Sequence, residues 1–367
     1  MKSRERALKA FRKADGFPDR VPVQFELCAQ LLEHFGNKLN IPVHYTHNLF
    51  EDVTYRISGN EIRTAMGCDV VVTGAGPAKG YEIRKDENGR WLNEYGMLMK
   101  QGPIYVEPVE FPLAHVQTAS DIEACRFPDP HAPERYEDAK ELVNKYKDEF
   151  LVIGDIEVTV LSLAQMLVGT EKLFLDMAME TEYVQPLFKK CAEFQTEVGL
   201  HLIERGVDAI WVGDDFGSQQ ALLFSPKMFR EQLKPHYERM IKVFKEANPA
   251  ITPILHTDGA VRELLDDIHE IGFEVFNPVQ PGVPGHSPQE LKDLFGEKFI
   301  FWGAIDQQDL LPKGTDEELE SDIREKIQLL GKNRGYMISP AHIIQADVSP
   351  QRVEKFIELC IKYGAYA

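Results

Sequence analysis

Two histidines and an aspartate offer the clearest chemistry in this chain. His256 and Asp258 lie in Ile254-Leu-His-Thr-Asp-Gly259, at the end of a short β-branched run from Thr252 to Leu255. In a strand, residues i and i+2 share a face, so both side chains can point into one pocket. His342 follows a second strand-like run, Tyr336-Met-Ile-Ser-Pro340. Two imidazole nitrogens and a carboxylate oxygen make a three-ligand zinc site that keeps a fourth position open. The competing reading is local. Gly259 opens a helical pattern through Val261, Leu264, Leu265 and Ile268, which His256 and Asp258 would then merely cap.

More polar residues stand just past other strand-like runs: Asp155 and Glu157, Asp214 and Asp215, Asn277 and Gln280, and Asp306. Asp214, Asp215 or Glu157 would serve as a fourth ligand or a proton donor. Asn277 and Gln280 would contact substrate. The remaining histidines (34, 44, 47, 115, 131, 201, 236, 269 and 286) are read as structural or solvent-facing.

Positioning these groups on one rim requires a repeating architecture. Eight short apolar runs supply it: Val21–Phe25, Asp69–Thr73, Phe150–Ile153, Ala209–Val212, Thr252–Leu255, Phe273–Phe276, Phe299–Trp302 and Tyr336–Ser339. Each precedes a helical pattern, which predicts an α/β protein, a (β/α)₈ TIM barrel with its active site at the C-terminal ends of the strands. The alternation breaks at about residues 78–114, where Glu87-Asn88-Gly89 signals a turn between Tyr81–Lys85 and Trp91–Met99. This predicts a β-hairpin inserted after the second strand, a flap whose Trp91 and Tyr95 close over substrate. Residues 1–367 are expected to form a single domain with this insertion.

Composition narrows the classes. The 367 residues carry a net charge of −18, so clustered cations for nucleic acid or an anionic membrane are not expected. No apolar run approaches the length of a membrane span. The five cysteines (Cys28, Cys68, Cys125, Cys191, Cys360) are scattered without a CxxC, as in a reducing cytoplasm. Residues 1–16 are basic and amphipathic with no apolar signal core, so a cytoplasmic location is expected. GxGxxG and GxxxxGK loops are absent, which weighs against nucleotide chemistry.

Several segments, in order along the chain, resemble the uroporphyrinogen decarboxylase superfamily. They are Ser3-Arg-Glu-Arg-Ala-Leu-Lys-Ala-Phe11, Pro18-Asp-Arg-Val-Pro-Val23, Leu223-Phe-Ser-Pro-Lys-Met-Phe-Arg-Glu231, Asn277-Pro-Val-Gln-Pro281, Phe301-Trp-Gly-Ala-Ile-Asp306 and Ile338–Val348. The resemblance implies a (β/α)₈ barrel and two branches, the haem-pathway decarboxylases and the corrinoid-dependent methyltransferases. Decarboxylases of this kind carry arginines after the first strand and an aspartate after the second. Here Gln24–Leu32 contains no arginine and Thr73-Gly-Ala-Gly76 no aspartate. The methyltransferases have an HxC motif and a later cysteine. Here His256 matches the histidine, Asp258 stands for the first cysteine and His342 at or beside the second.

The resemblance therefore points to zinc on His256, Asp258 and His342. It implies transfer of a methyl group from an O- or N-linked donor to a corrinoid carried by a partner protein. One carboxylate in place of two thiolates leaves the metal more positive and a stronger Lewis acid. Expected partners are the corrinoid protein and a small-molecule methyl donor, with a homodimer as the compatible assembly. A lyase of the uroporphyrinogen decarboxylase type, acting on a tetrapyrrole or another carboxylate, is the alternative. A catalytically silent barrel is the third reading, which the acidic rim disfavours.

Overall fold

A computed structural model describes residues 1–46, 54–102 and 105–366. Its ten strands are β1 (Val70–Gly74), β2 (Arg90–Leu92), β3 (Leu98–Gln101), β4 (Val106–Glu110), β5 (Leu151–Asp155), β6 (Ala209–Gly213), β7 (Thr252–His256), β8 (Val275–Val279), β9 (Ile300–Ile305) and β10 (Tyr336–Pro340). Seven of them form one parallel sheet in the order β1-β5-β6-β7-β8-β9-β10. These strands are apolar, β-branched runs buried along nearly their whole length, as expected where helices cover the outside and side chains fill the inside. Amphipathic helices such as Val184–Glu204, Lys234–Ala247, Asp316–Leu330 and Pro350–Tyr363 supply that cover.

The first expected strand, Val21–Phe25, is an extended segment making single bridges, not a regular strand. Pro22 has no N–H to give to a ladder. The segment nonetheless joins both edges of the sheet. Ile338 N–H donates to Pro22 O and Gln24 N–H to Ile338 O, each at 3.0 Å, while Asp69 N–H donates to Val23 O at 2.9 Å. The curled sheet thus closes as a TIM-like barrel. Gln24 and Glu26, two apart on this segment, are both buried and line the barrel cavity.

The insertion after β1 is present, as a three-stranded antiparallel sheet, β2-β3-β4. Its ladder turns at Asn93–Met97, where Asn93 Oδ1 accepts from the N–H groups of Tyr95 and Met97 and Gly96 adopts φ 77°. Residues 81–85, expected to form one arm, lie outside any strand. Glu82, Arg84 and Lys85 are exposed there and offer no apolar cross-strand pairs, while Asp86 closes the Asn88-Gly89 turn on itself by accepting from Asn88 and Arg90 N–H. All five cysteines are free thiols. Among the described residues no helix is long and apolar enough to cross a membrane.

Candidate functional site

A cavity of about 250 Å³ opens at the C-terminal ends of the barrel strands. Its ligand-capable wall follows from strand register. β6 and β7 are parallel neighbours with Gly213 opposite His256, so the residues two places further on, Asp215 and Asp258, arrive side by side. Asp258 N–H donates to Asp215 Oδ1 at 2.9 Å. One ligand atom from each of Asp215, His256 and Asp258 lies within 4.8 Å of the others. His342 stands at the edge of this triad, its Nε2 3.8 Å from Asp258 Oδ2. Asp215, which the sequence suggested as a fourth ligand or proton donor, therefore joins His256 and Asp258 more closely than His342 does.

The donor set fits a divalent zinc. Ligand atoms about 2.0–2.2 Å from a tetrahedral ion are roughly 3.5 Å apart, so the triad needs only small side-chain movements. Two carboxylates and one neutral imidazole balance a charge of two, so with Asp215 in the set the surplus positive charge expected from a single carboxylate is not retained. The Nδ1 of His256 sits 2.7 Å from Asn277 Oδ1, which fixes the ring and turns Nε2 toward the cavity. Asn277, expected to contact substrate, thus also orients the histidine. Burial opposes charging of His256, but Glu157, Asp258 and Asp215 outweigh it and raise its pKa to about 9. In the absence of metal, the imidazolium supplies positive charge inside this acidic wall. Asp215 keeps solvent contact, yet enclosure first and the neighbouring Asp258 second raise its carboxyl above the usual range.

Behind the triad lies a buried ionic cluster that the sequence did not reveal. Arg56 pairs with Glu26 at 2.7 Å, Asp155 at 3.2 Å and Glu157, and its guanidinium lies 4.2 Å from the centre of the Trp211 ring. Burial alone would discharge Arg56; the three carboxylates hold it firmly protonated. Glu157 Oε1 also lies 3.5 Å from His256 Nε2. Burial pushes Glu157 up to about 7, against the pull of Arg56 and His256. A carboxyl poised there can give or take a proton near neutrality.

Local backbone geometry holds Glu157 in place. Val158, the next residue, has φ 63°, a conformation that is costly for a β-branched side chain. Glu157 packs onto Gly213, where an added Cβ would overlap its side chain. Gly213→Ala should therefore displace Glu157 and cost about 1–3 kcal/mol. Chemical denaturation would show this, and an unchanged midpoint would mean that Glu157 has other room.

The remaining expected residues divide. Asp214 lines the cavity but is saturated, accepting from Val160 N–H, Ser162 N–H and the Tyr237 hydroxyl at 2.8, 2.7 and 2.5 Å. It braces the loop. Trp91 and Tyr95 are not among the lining residues. Tyr95 packs edge-on against Phe127 and Phe194, each 5.7 Å away, because the inserted sheet leans on the flank of the helix Val184–Glu204. Tyr105 from the same insertion lines the cavity instead. Gln280 belongs to a second chamber of about 190 Å³, which shares Tyr105, Asp258, Ala341 and His342 with the first. His47 lies outside the described residues. A signal for Asp215 was available in the equal offsets past β6 and β7; none announced Arg56.

Comparison with known proteins adds family context. A model of the family described as Uroporphyrinogen decarboxylase (URO-D) matches residues 95–363. Two curated uroporphyrinogen decarboxylases, from two strains of Thermus thermophilus, are 26% and 25% identical over 218 residues. The matched stretch is 59% of this chain and 56% of each relative, so it spans little more than half of their length. A solved methyltransferase from Methanosarcina mazei superimposes with a TM-score of 0.71 at 16% identity, covering 100% of both chains.

Proposed function

Because this chain belongs to the uroporphyrinogen decarboxylase (URO-D) family, whose members include decarboxylases and methyltransferases, we propose that it is a zinc-assisted methyltransferase. It would take a methyl group from an O- or N-linked donor and deliver it to a corrinoid carried by a partner protein, within the cytoplasm. The observation that carries this reading is the Asp215-His256-Asp258 triad opening onto a cavity beside a proton-poised Glu157. The fold is that of a protein named as a methyltransferase, which is compatible with the reading.

Asp215, His256 and Asp258 would hold the metal, with His342 at the fourth position. Zinc there supplies Lewis acidity toward the heteroatom that bears the methyl group. Glu157 gives its proton to that heteroatom as the carbon–heteroatom bond breaks and the bonding pair stays behind. The partner's corrinoid, in its reduced state, would supply the electron pair that receives the methyl group. Arg56 keeps Glu157 aimed, and Asn277 keeps His256 aimed.

The alternative, a lyase acting on a tetrapyrrole or another carboxylate, draws on the names of the Thermus relatives. The lining disfavours it. Arg56 is the only arginine or lysine among the described lining residues, and three carboxylates already engage it. A polycarboxylate substrate needs cations to spare.

Elemental analysis of protein purified without added metal should find about one zinc per chain, since intact sites bind tightly. Less than about 0.2 per chain, unchanged after zinc soaking, would remove the metal from the reading. Conversion of uroporphyrinogen at about 1 per second or faster would favour the lyase.

A further inference from the structure

The two loops that carry Asp215 and Asp258 stay paired after their strands end. The ladder of β6 and β7 stops at Gly213 and His256. Beyond it, Asp214 N–H donates to His256 O at 3.1 Å, Phe216 N–H to Thr257 Oγ1 at 3.0 Å and Ala260 N–H to Ser218 O at 2.8 Å. Two glycines let the loops touch. A Cβ on Gly217 would lie 2.7 Å from Ala260 N and 3.0 Å from Asp258 O, and one on Gly259 would lie 2.6 Å from the carbonyl oxygens of Gly217 and Ser218. Each of these neighbours is backbone, which cannot swing aside as a side chain can. Gly259 also has φ 86°, a conformation that glycine adopts without strain.

Both aspartates are pinned from either side. Before Asp215, the Asp214 carboxylate accepts three hydrogen bonds. After it, Phe216 is buried among Phe224, Phe229 and Tyr237, with ring centres 6.0, 5.2 and 5.8 Å away. Before Asp258, Thr257 is fully buried, its N–H donating to Asn277 O at 2.8 Å while its Oγ1 holds Phe216. After it, Gly259 N–H donates to Gln280 Oε1 at 2.8 Å. Like charges set side by side repel, so this bracing keeps together a pair that would otherwise part. Its position beyond the ladder makes it a property of the ligand loops and not of the sheet.

We propose that Gly217, Gly259 and Thr257 are positioning residues that set the separation of Asp215 and Asp258 to suit a small tetrahedral ion. This rests on the reading of the triad as a metal site. The two carboxylates reach the ion from a backbone already in place, so little ordering is left for binding to impose. Thr257 ties the loops through one hydroxyl oxygen, and the glycines remove the bulk that would wedge them apart.

Chelator competition for Zn²⁺ and the visible spectrum of the Co²⁺-loaded protein test this, since tetrahedral Co²⁺ absorbs strongly and octahedral Co²⁺ faintly. Thr257→Val keeps the side-chain shape but removes the acceptor of Phe216 N–H. It should weaken zinc binding about 10- to 100-fold, as loss of outer-shell support does, and bleach the Co²⁺ bands. Thr257→Ser restores the oxygen and should recover most of both. Gly217→Ala drives a methyl group against the backbone of the Asp258 loop and should act like Thr257→Val. Should it not fold, the Thr257 pair decides alone. Gly199→Ala crowds the Phe244 ring on the outside of the barrel, so it should lower stability with zinc affinity and spectrum unchanged. Native affinity and spectrum in Thr257→Val or in folded Gly217→Ala, no recovery in Thr257→Ser, or an equal loss in Gly199→Ala overturns the positioning role and leaves the metal reading intact. Absence of metal binding by the unaltered protein overturns the metal reading, and the positioning role with it.

Discussion

Replacing Arg56 by methionine should destabilise the protein by about 3–5 kcal/mol, the usual cost of removing one partner from a buried ion cluster. Methionine fills much of the same volume, so lost packing is a minor part of the change. What remains is Glu26, Asp155 and Glu157 facing one another, with His256 beside Glu157 as their one counter-charge among the described residues. Arg56→Lys should recover only part of the loss, because an ammonium cannot bridge three carboxylates as a planar fork does. The penalty should also depend on pH. Glu157 already sits at about 7 with Arg56 present, and losing that cation moves it higher. A carboxyl raised in the folded state contributes stability at low pH and forfeits it as pH climbs through its folded pKa. The variant should therefore be weakest above pH 7 and recover on acidification. Urea melts at pH 6 and 8 decide it; a loss under about 1 kcal/mol at both would mean the cluster is not structurally essential.

Asp258→Ala should lose zinc affinity by more than the roughly 10- to 100-fold that disturbing an outer-shell partner typically costs, since a ligand itself is gone. Activity on a methyl donor should fall with it. Asp258→Cys separates ligation from electronics. Thiolate is a good zinc ligand, so metal content should survive, while its stronger charge donation weakens the pull on a substrate oxygen. Metal titration with a chromophoric chelator, followed by turnover at saturating zinc, reads both effects. Equal metal and equal rate in all three proteins would assign Asp258 a capping role, with a stability cost near ~1 kcal/mol for alanine.

Where periodicity carried the signal, the sequence was legible. β-branched runs, each followed by a helical pattern, marked seven strands, and the i, i+2 spacing of His256 and Asp258 put both on one wall. Glu157 was visible because it follows a strand end by a residue or two. Arg56 was not, because it comes from a connection after the first extended segment, where neither periodicity nor a partner motif singles out one arginine. Its three partners meet only when the barrel curls. Trp91 and Tyr95 misled for the opposite reason. Large aromatics in an insertion suggest a lid, but the inserted sheet must also bury its own apolar face, and Phe127 and Phe194 offered the surface. Tyr105, from the same insertion, reaches the cavity instead.

The closing segment Val21–Leu27 has a bearing on how the site comes into being. Val23 and Leu27 bridge Ile338 and Ile344, partners that lie almost the whole chain further on. During synthesis the segment can meet Asp69 and Arg56 early, but its other edge stays open while strand after strand is added. Contacts so distant in sequence are slow to form, and an exposed edge invites wrong pairing meanwhile. The Glu26 carbonyl gains its last partner, Ile344 N–H, only when that late segment arrives. The wall formed by Gln24 and Glu26 is thus completed by the same contacts that cover the open edge of the sheet.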